Sequence, residues 1–378
     1  MKKLFRIILA YIRQTDLWLW ILCVGLSGFS ALLLLGIVDS RRVPDVGMRT
    51  VMVQCLATGL GCFCALCLSK IDYHTLAKLW KLHIPAAYGL VLLTFFIGEG
   101  TQERLADKSW IRLPFVNLTI QPAEFLKLSF ILAFAYHLNK VREYINRPVH
   151  LLLLCVHGAI PVLLIHMQGD DGTALVFAAI FAAMLFAAGL NLRYVFGAIF
   201  VAVVGFPILW FRVLSDYQKN RFLILFDPLA DPQGDYYQQY WAKLAIGSGK
   251  VWGKGIFSED HRYVPMIHND FIIAFIGESL GYVGCMAVLV VLTILFVKIL
   301  VNSRLAEDFL GQMICIGVFA MFSAQAVINI GMCISLLPVI GITLPFLSYG
   351  GSSVLASYLG MGFILSVYMR NPKNLFSD

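Results

Sequence analysis

Charged residues are scarce in this chain. They make up 13% of its 378 residues, whereas hydrophobic residues make up 60%. Soluble domains carry charge on about 25% of their residues. The shortage of charge excludes a water-soluble globular protein.

Cysteine is missing from the one long polar segment, residues 214–269. The nine cysteines of the chain all lie within or beside apolar segments, where cysteine packs as a small hydrophobic residue. Cys64 and Cys67 have the spacing of a redox motif, but their predicted helix contains no histidine or acidic residue. We therefore interpret this pair as packing residues.

Apolar runs of about 20 residues, the length that crosses a hydrocarbon core of ~30 Å, recur along the chain. The ten predicted spans are 17–38, 50–69, 82–98, 119–138, 149–166, 173–190, 194–213, 270–297, 309–336 and 345–368. We predict an all-α polytopic membrane protein, with residues 1–378 forming a single integral membrane domain.

The distribution of lysine and arginine orients the predicted bundle. With both termini in the cytoplasm, fifteen of the 29 basic residues lie on the cytoplasmic side and six lie in the short outer loops. The positive-inside rule favours this arrangement in an inner membrane, with residues 214–269 as a long outer loop between spans seven and eight. The net charge of +7 then reflects topology and not binding to nucleic acid.

Polar residues at membrane depth are the informative ones, because an unpaired charge there costs several kcal/mol. Glu124 and Lys127 are three residues apart in the fourth span, so they share a helical face and can pair. A purely structural ion pair is an equal alternative. Residues 168–174 form a short outer turn whose glycines would let the backbone approach a ligand.

A third polar cluster lies in the last two spans. Gln325 and Asn329 share a helical face, and residues 345–353 (PFLSYGGSS) interrupt or begin the tenth span. Such a segment is typical of the discontinuous helices that line membrane cavities. Its free backbone N–H groups could face an anion.

The long loop contains glycine-rich and titratable segments. Residues 253–255 (GKG) lack the glycine and the hydroxyl residue that a P-loop requires at its fixed positions, so a nucleotide site is rejected. His268 and Asp270, with Asp260 and His261, could hold a divalent cation, although no recognised ligand spacing is met. A divalent cation is therefore the one possible cofactor.

Over essentially its whole length the chain resembles the SEDS family (shape, elongation, division and sporulation). The resemblance is carried by the order and spacing of these segments: 121–127 (QPAEFLK), 216–221 (DYQKNR), the Asp-Pro pairs at 227 and 231, 246–249 (IGSG), 268–271 (HNDF), 329–332 (NIGM), 337–338 (LP) and 345–352 (PFLSYGGS).

The resemblance implies both an activity and its residues. Members of this family are ten-span glycosyltransferases that polymerise lipid II into glycan strands, together with a class B penicillin-binding protein. Asp270 matches the proposed catalytic aspartate. Other motif positions, with substrate-binding or structural roles, are Trp110, Glu124, Lys127, Asp170, Gln218, Arg221, Asn329, Ser348, Gly350 and Gly351. The opening residues 14–17 resemble the RodA branch, which favours a role in elongation and cell shape over division or sporulation.

Three segments depart from the family pattern. The stretch between Gly255 and His268 is shorter and lacks the usual Gly-x-Gln and the Glu of Pro-Glu. Residues 106–110 (ADKSW) lack the arginine that usually precedes the tryptophan, for which Lys108 or Arg112 could compensate. Residues 168–172 (QGDDG) replace a Gln-Pro-Asp-Leu-Gly motif. These changes leave a non-catalytic scaffold for the penicillin-binding protein as one alternative.

The implied reaction needs a base near the acceptor sugar and cations near the leaving pyrophosphate. Conversion of an α-linked donor into a β-1,4 glycan is an inversion, which one carboxylate can support, and Asp270 is the candidate base. Arg221 is the candidate cation, and Lys254 is a weaker one. The main rival is a flippase for the lipid-linked precursor, since embedded charges and a broken helix also suit a transporter.

Overall fold

The computed structural model describes residues 9–44, 46–100, 108–112, 119–214, 216–223, 225–226 and 236–371, apart from some side chains between 209 and 222. The helices, in chain order, are α1 (Leu17–Ser40), α2 (Met48–Lys70), α3 (Tyr73–Lys78), α4 (Trp80–Ile97), α5 (Pro122–Val141), α6 (Pro148–Met167), α7 (Asp171–Ala187), α8 (Leu192–Ile208), α9 (Asp216–Leu223), α10 (Tyr237–Ser248), α11 (Ile272–Arg304), α12 (Phe309–Cys333) and α13 (Gly351–Tyr368). A two-stranded antiparallel ribbon, β1 (Ile111–Arg112) with β2 (Thr119–Ile120), precedes α5.

Each predicted span corresponds to a helix in this part of the chain. Eight helices are long and apolar enough to cross a membrane: α1, α2, α4, α6, α8 with the π-helical turn that follows it, α11, α12 and α13. The other two predicted spans correspond to α7 and α5. Helix α7 is apolar but has only 17 residues, and helix α5 carries the charged residues Glu124 and Lys127. The predicted all-α polytopic membrane fold is confirmed.

Local sequence signals set where several helices begin. Asp16, Asp170 and Asp308 cap α1, α7 and α12, because each carboxylate accepts a hydrogen bond from a backbone N–H in the first turn. Pro122 and Pro148 occupy the first position of α5 and α6, where a missing N–H costs nothing.

Helices α5, α12 and α13 form the centre of the bundle. Helix α13 packs along α2, and α12 packs along α5, α7 and α11. Most residues of α12 and α13 are buried, whereas α8 buries none of its described residues. The polar segments at the N-terminal ends of α5, α11 and α13 therefore converge on one region of the protein.

The structure corrects the predicted eighth span, 270–297, which is part of a longer helix that is broken at Gly281. Helix α11 has 33 residues, about 50 Å at 1.5 Å per residue, which exceeds a hydrocarbon core of ~30 Å. Gly281 breaks it, with φ 66° and ψ −161°. The chain therefore forms a short buried half-helix, 272–280, followed by a span-length half-helix, 282–304.

Candidate active site

Residues 334–350 connect α12 to α13 without forming a helix. Ser335, Gly341 and Phe346 have positive φ values of 58°, 76° and 63°, a left-handed conformation that reverses the chain. The predicted interruption of the tenth span is confirmed. Its start is corrected, because α13 begins at Gly351 and not at residue 345.

Side chains of α1 and α2 satisfy the backbone of this non-helical segment. Gln54 Nε2 donates to Ser30 Oγ at 3.1 Å and to the carbonyl oxygen of Ser348 at 3.2 Å. Ser30 Oγ in turn donates to the carbonyl oxygen of Leu347 at 2.6 Å. Such partners are required because water is absent from the bilayer core.

Ser348, Gly350 and Gly351, three of the predicted site residues, shape the start of α13. Ser348 Oγ accepts a hydrogen bond from the Leu344 N–H at 2.9 Å, within the same segment. The N–H of Gly350 donates to Gln54 Oε1 at 3.4 Å. The described contacts of Ser348 and Gly350 are thus internal to the protein, which supports a structural role for both.

Asp270 lies in a tight turn that leads into α11. The carbonyl oxygen of Met266, a residue with a φ of 52°, accepts hydrogen bonds from the N–H groups of Asn269, Asp270 and Phe271. The N-cap position of α11 is occupied by Phe271 and not by Asp270.

Asn329 holds this turn against the non-helical segment. Its Nδ2 atom donates to the carbonyl oxygens of Asp270 at 2.8 Å and Ile342 at 2.7 Å. A methyl group added at Gly341 would lie 3.5 Å from the Oδ2 atom of Asp270. Gly341 therefore adjoins the half-buried side chain of Asp270.

The N-terminal end of α5 forms a second polar cluster. Lys127 Nζ lies 2.8 Å from Glu124 Oε1, and the side chain of Lys127 is 0% exposed, so the predicted pairing is confirmed. Gln121 Nε2 donates to Asp170 Oδ2 at 2.6 Å, while Asp170 Oδ1 accepts from the Thr173 N–H at 2.9 Å. Burial raises the pKa of Asp170, against the opposing effects of the Thr173 hydrogen bond and the Lys127 charge.

The two clusters meet at the non-helical segment. A Cβ atom at Gly172, two residues after Asp170, would lie 2.8 Å from the carbonyl oxygen of Ile340. Ile340 precedes Gly341, the neighbour of Asp270. The structure thus brings the start of α7, next to Asp170, against Ile340, and brings Asp270 and Asn329 against Gly341 and Ile342. A further link joins α5 to α13, since the Gln121 N–H donates to Ser352 Oγ at 3.2 Å.

Trp110 lies in the ribbon segment before α5. Its N–H and carbonyl groups pair with those of Glu99 at 3.2 Å and 2.8 Å. Arg112, proposed from the sequence to replace the missing arginine, forms an ion pair with Glu99 at 2.7 Å. Lys108 Nζ donates to the carbonyl oxygen of Phe95 at 3.4 Å. Both cations therefore help to hold this segment to the end of α4.

Gln218 and Arg221 lie in α9, but their side chains fall outside the described part of the structure, as do both Asp-Pro pairs, at 227 and 231. For the possible divalent cation, no group of three or more His, Cys, Asp or Glu side chains that could hold a metal occurs among the described residues. His261 instead lies beside Glu278, and His268 packs against the ring of Tyr349.

Two structurally important residues were missed by the sequence analysis, Gln54 and Glu278. Both are polar, both are 0% exposed, and both lie within predicted spans. A polar residue at membrane depth is itself a signal of function or of a specific contact. Applied to every span, that signal would have found both.

Comparison with known proteins places these observations in a family. The model of the FtsW, RodA and SpoVE family, described as "Cell cycle protein", matches residues 14–373. The chain is 31% identical to the probable peptidoglycan glycosyltransferase FtsW of Geobacter metallireducens, over 97% of this chain and 98% of that protein. It is 33% identical to the peptidoglycan glycosyltransferase MrdB of Escherichia coli K12, over 74% of this chain and 75% of that protein.

Solved structures agree with the fold. A chain from a structure titled "Structural coordination of polymerization and crosslinking by a peptidoglycan synthase complex" has a TM-score of 0.78 at 26% identity, covering 96% of this chain and 99% of that chain. The rod shape determining protein RodA of Thermus thermophilus has a TM-score of 0.68 at 24% identity, covering 95% of this chain and 98% of that chain. The second likeness shows the fold alone.

Proposed function

Because the chain belongs to the SEDS family of FtsW, RodA and SpoVE, we propose that it is a bacterial peptidoglycan glycosyltransferase that polymerises lipid II into glycan strands. Relatives from two branches carry that activity in their names, and one of them matches along nearly the whole of both chains. The proposal therefore concerns the substrate, the residues and the cellular role of this protein.

The observation that supports the chemistry best is the placement of Asp270. Its side chain lies beside Gly341, in a turn that Asn329 holds to the non-helical segment. A general base must be positioned before the substrate arrives. In the proposed step Asp270 accepts the proton of the acceptor 4-hydroxyl, while the oxygen of that hydroxyl forms a bond to the donor anomeric carbon. The bond from that carbon to the pyrophosphate oxygen breaks, and the pyrophosphate leaves with the electron pair.

The leaving pyrophosphate requires cations, and the buried lysine is not a good candidate. Lys127 is fully buried and its Nζ atom is bonded to Glu124, so the pair is electrically balanced within the protein. We assign phosphate binding to Arg221, on its motif position. A guanidinium group suits this task because it can donate two parallel hydrogen bonds to a phosphate.

The proposed partner is a single-span class B penicillin-binding protein, since one solved relative comes from a peptidoglycan synthase complex. The proposed cellular role is elongation, with both termini in the cytoplasm of the inner membrane. The chain is 31% identical to an FtsW protein and 33% identical to MrdB, so sequence identity does not decide between these two relatives. The phenotype of depleted cells therefore tests the cellular role. Depletion should cause loss of rod shape; filaments with normal width would assign the protein to division.

Purified protein incubated with lipid II, with and without its cognate transpeptidase, tests the activity. We expect glycan strands on a gel, and more of them in the complex. The same protein in proteoliposomes should leave the lipid II headgroup on its original side. Translocation without polymer would identify a flippase, and a stable complex without either activity would identify a scaffold.

A further inference from the structure

The break in α11 exposes backbone groups that the outer loop satisfies. A helix end leaves N–H and C=O groups without partners in the helix. The carbonyl oxygens of Glu278 and Ser279 accept from the N–H groups of Lys254 and Gly255 at 2.9 Å and 2.8 Å. On the other side of the break, the N–H of Tyr282 donates to the carbonyl oxygen of Lys250 at 2.9 Å. Residues 250–255 therefore pair with the backbone on both sides of the break.

Glycines permit this close approach. A Cβ atom at Gly253 would lie 2.3 Å from the carbonyl oxygen of Ser279, and one at Gly281 would lie 2.4 Å from that of Val251. Both residues also have positive φ values. Gly253, next to Lys254, is thus explained by contact between two backbones and not by binding of a phosphate.

A buried ion pair reinforces the contact. Lys254 Nζ lies 2.8 Å from Glu278 Oε1, and the Glu278 side chain is 0% exposed. The same carboxylate accepts from Ser248 Oγ at 3.1 Å and from the Arg262 N–H at 3.0 Å and 3.1 Å. A buried carboxylate with several donors is rigidly held, because each lost donor would leave a buried group unsatisfied.

The position of this carboxylate in the chain links it to Asp270. Glu278 follows Asp270 by eight residues along the buried half-helix, and Arg262 precedes Asp270 by eight residues in the loop. The hydrogen bonds from the Arg262 N–H to Glu278 therefore close the segment 262–278, at whose midpoint Asp270 lies.

We propose that Glu278 and Lys254 are positioning residues for Asp270. Glu278 closes the 262–278 segment through the Arg262 N–H, the ion pair with Lys254 holds the Glu278 carboxylate in place, and together they fix the turn that presents the Asp270 side chain beside Gly341. Neither side chain takes part in the chemistry. The inference rests on the proposed role of Asp270, so the test must separate the two.

The variants are Glu278→Gln, Lys254→Met and the rescue variant Lys254→Arg. Lys298→Met is the matched control, because Lys298 lies at the other end of α11 and pairs with the buried Asp16 at 3.0 Å. Hydrogen exchange of residues 255–271 reports on the closure, and kcat and KM for lipid II report on the reaction. If Glu278→Gln does not fold, the same measurements on Lys254→Met are sufficient for the test.

We expect both disrupting variants to exchange faster at Arg262 and through Asp270, and to lose about tenfold or more in kcat with KM nearly unchanged, because misplacement of a reacting group slows the step itself. Lys254→Arg should restore both, and Lys298→Met should change neither. Faster exchange with a normal kcat, or an equal loss of kcat in Lys298→Met, would overturn the positioning role. An active Asp270→Asn variant would instead overturn the assignment of the base.

Discussion

Glu124, Asp170 and Glu278 are carboxylates that the structure places inside the protein, each with different partners. Glu124 neutralises a buried lysine. Asp170 caps α7 and accepts from the Gln121 side chain. Glu278 joins the outer loop to a broken helix. The sequence reveals Lys127 as the partner of Glu124, but it does not reveal the distant donors of the other two, such as Gln121 for Asp170 and Lys254 for Glu278.

The pair of Glu124 and Lys127 leads to a prediction about charge balance. Glu124→Gln leaves the ammonium group of Lys127 buried without its counter-charge, which should cost about 3–5 kcal/mol in the free energy of unfolding. The double variant Glu124→Gln with Lys127→Met removes both charges and should be more stable than Glu124→Gln alone. Thermal unfolding in detergent measures both.

Lys140→Met is the control for this comparison, because Lys140 lies on the exposed end of the same helix. It should unfold at nearly the temperature of the unmodified protein. A double variant as unstable as Glu124→Gln, or less stable, would contradict simple pairing.

Two glycines near the end of α10 make a matched test of the contact between α10 and α11. A Cβ atom at Gly249 would lie 1.9 Å from the carbonyl oxygen of Gly277, whereas a Cβ atom at Gly247 meets nothing within 4 Å. Gly249→Ala should lower stability by about 1–3 kcal/mol, because one backbone must move. Gly247→Ala should be neutral or stabilising by up to about 1 kcal/mol, as expected for alanine in a helix.

Thermal unfolding of both alanine variants in the same detergent checks this prediction. Equal effects at the two positions would show that α10 does not pack against the buried half-helix as closely as the structure has it.

At the scale of elements, hydropathy was sufficient for the spans and insufficient for their interruptions. The break at Gly281 lies inside an apolar run, so neither composition nor periodicity marks it. Phe346 and Leu347 are apolar, so hydropathy places residues 345–350 in the tenth span. In the structure both side chains are fully buried, but the backbone of this segment is non-helical. These breaks depend on hydrogen bonds from other helices, such as those of Gln54 and Asn329, which a single sequence does not display.

Site residues could be predicted from the sequence where a charged side chain lies within an apolar span, because a charge there is costly. They could not be predicted where they depend on a contact between residues that are far apart in the chain. Glu124 and Lys127 stood out because two opposite charges three residues apart in a span must pair. The match of Asp270 to a family motif gave its role as a prediction but not its neighbour Gly341, 71 positions later in the chain. Such a contact follows from the fold and not from spacing.

The orientation of the whole molecule is a prediction from its basic residues, which places residues 214–269 outside the cytoplasm. A cysteine introduced as Ser258→Cys, in a variant without the nine native cysteines, should react with an impermeant maleimide in intact spheroplasts. Lys78→Cys, in the exposed end of α3, should react only after lysis. The reverse pattern would overturn the orientation.

The central claim is that this membrane protein polymerises lipid II with Asp270 as the general base. A general base must accept a proton from the acceptor hydroxyl, and the carboxylate of an aspartate can do so. Asparagine keeps the size and most of the hydrogen-bonding ability of the side chain but cannot act as the base.

The rate of lipid II polymerisation by purified Asp270→Asn is the most direct measurement. Glu259→Gln provides the control, since it makes the same change of charge at an exposed carboxylate of the outer loop. We predict that Asp270→Asn folds and binds its partner but polymerises lipid II about 10²-fold more slowly or worse, while Glu259→Gln retains its rate. A near-normal rate in a folded Asp270→Asn variant would contradict the account.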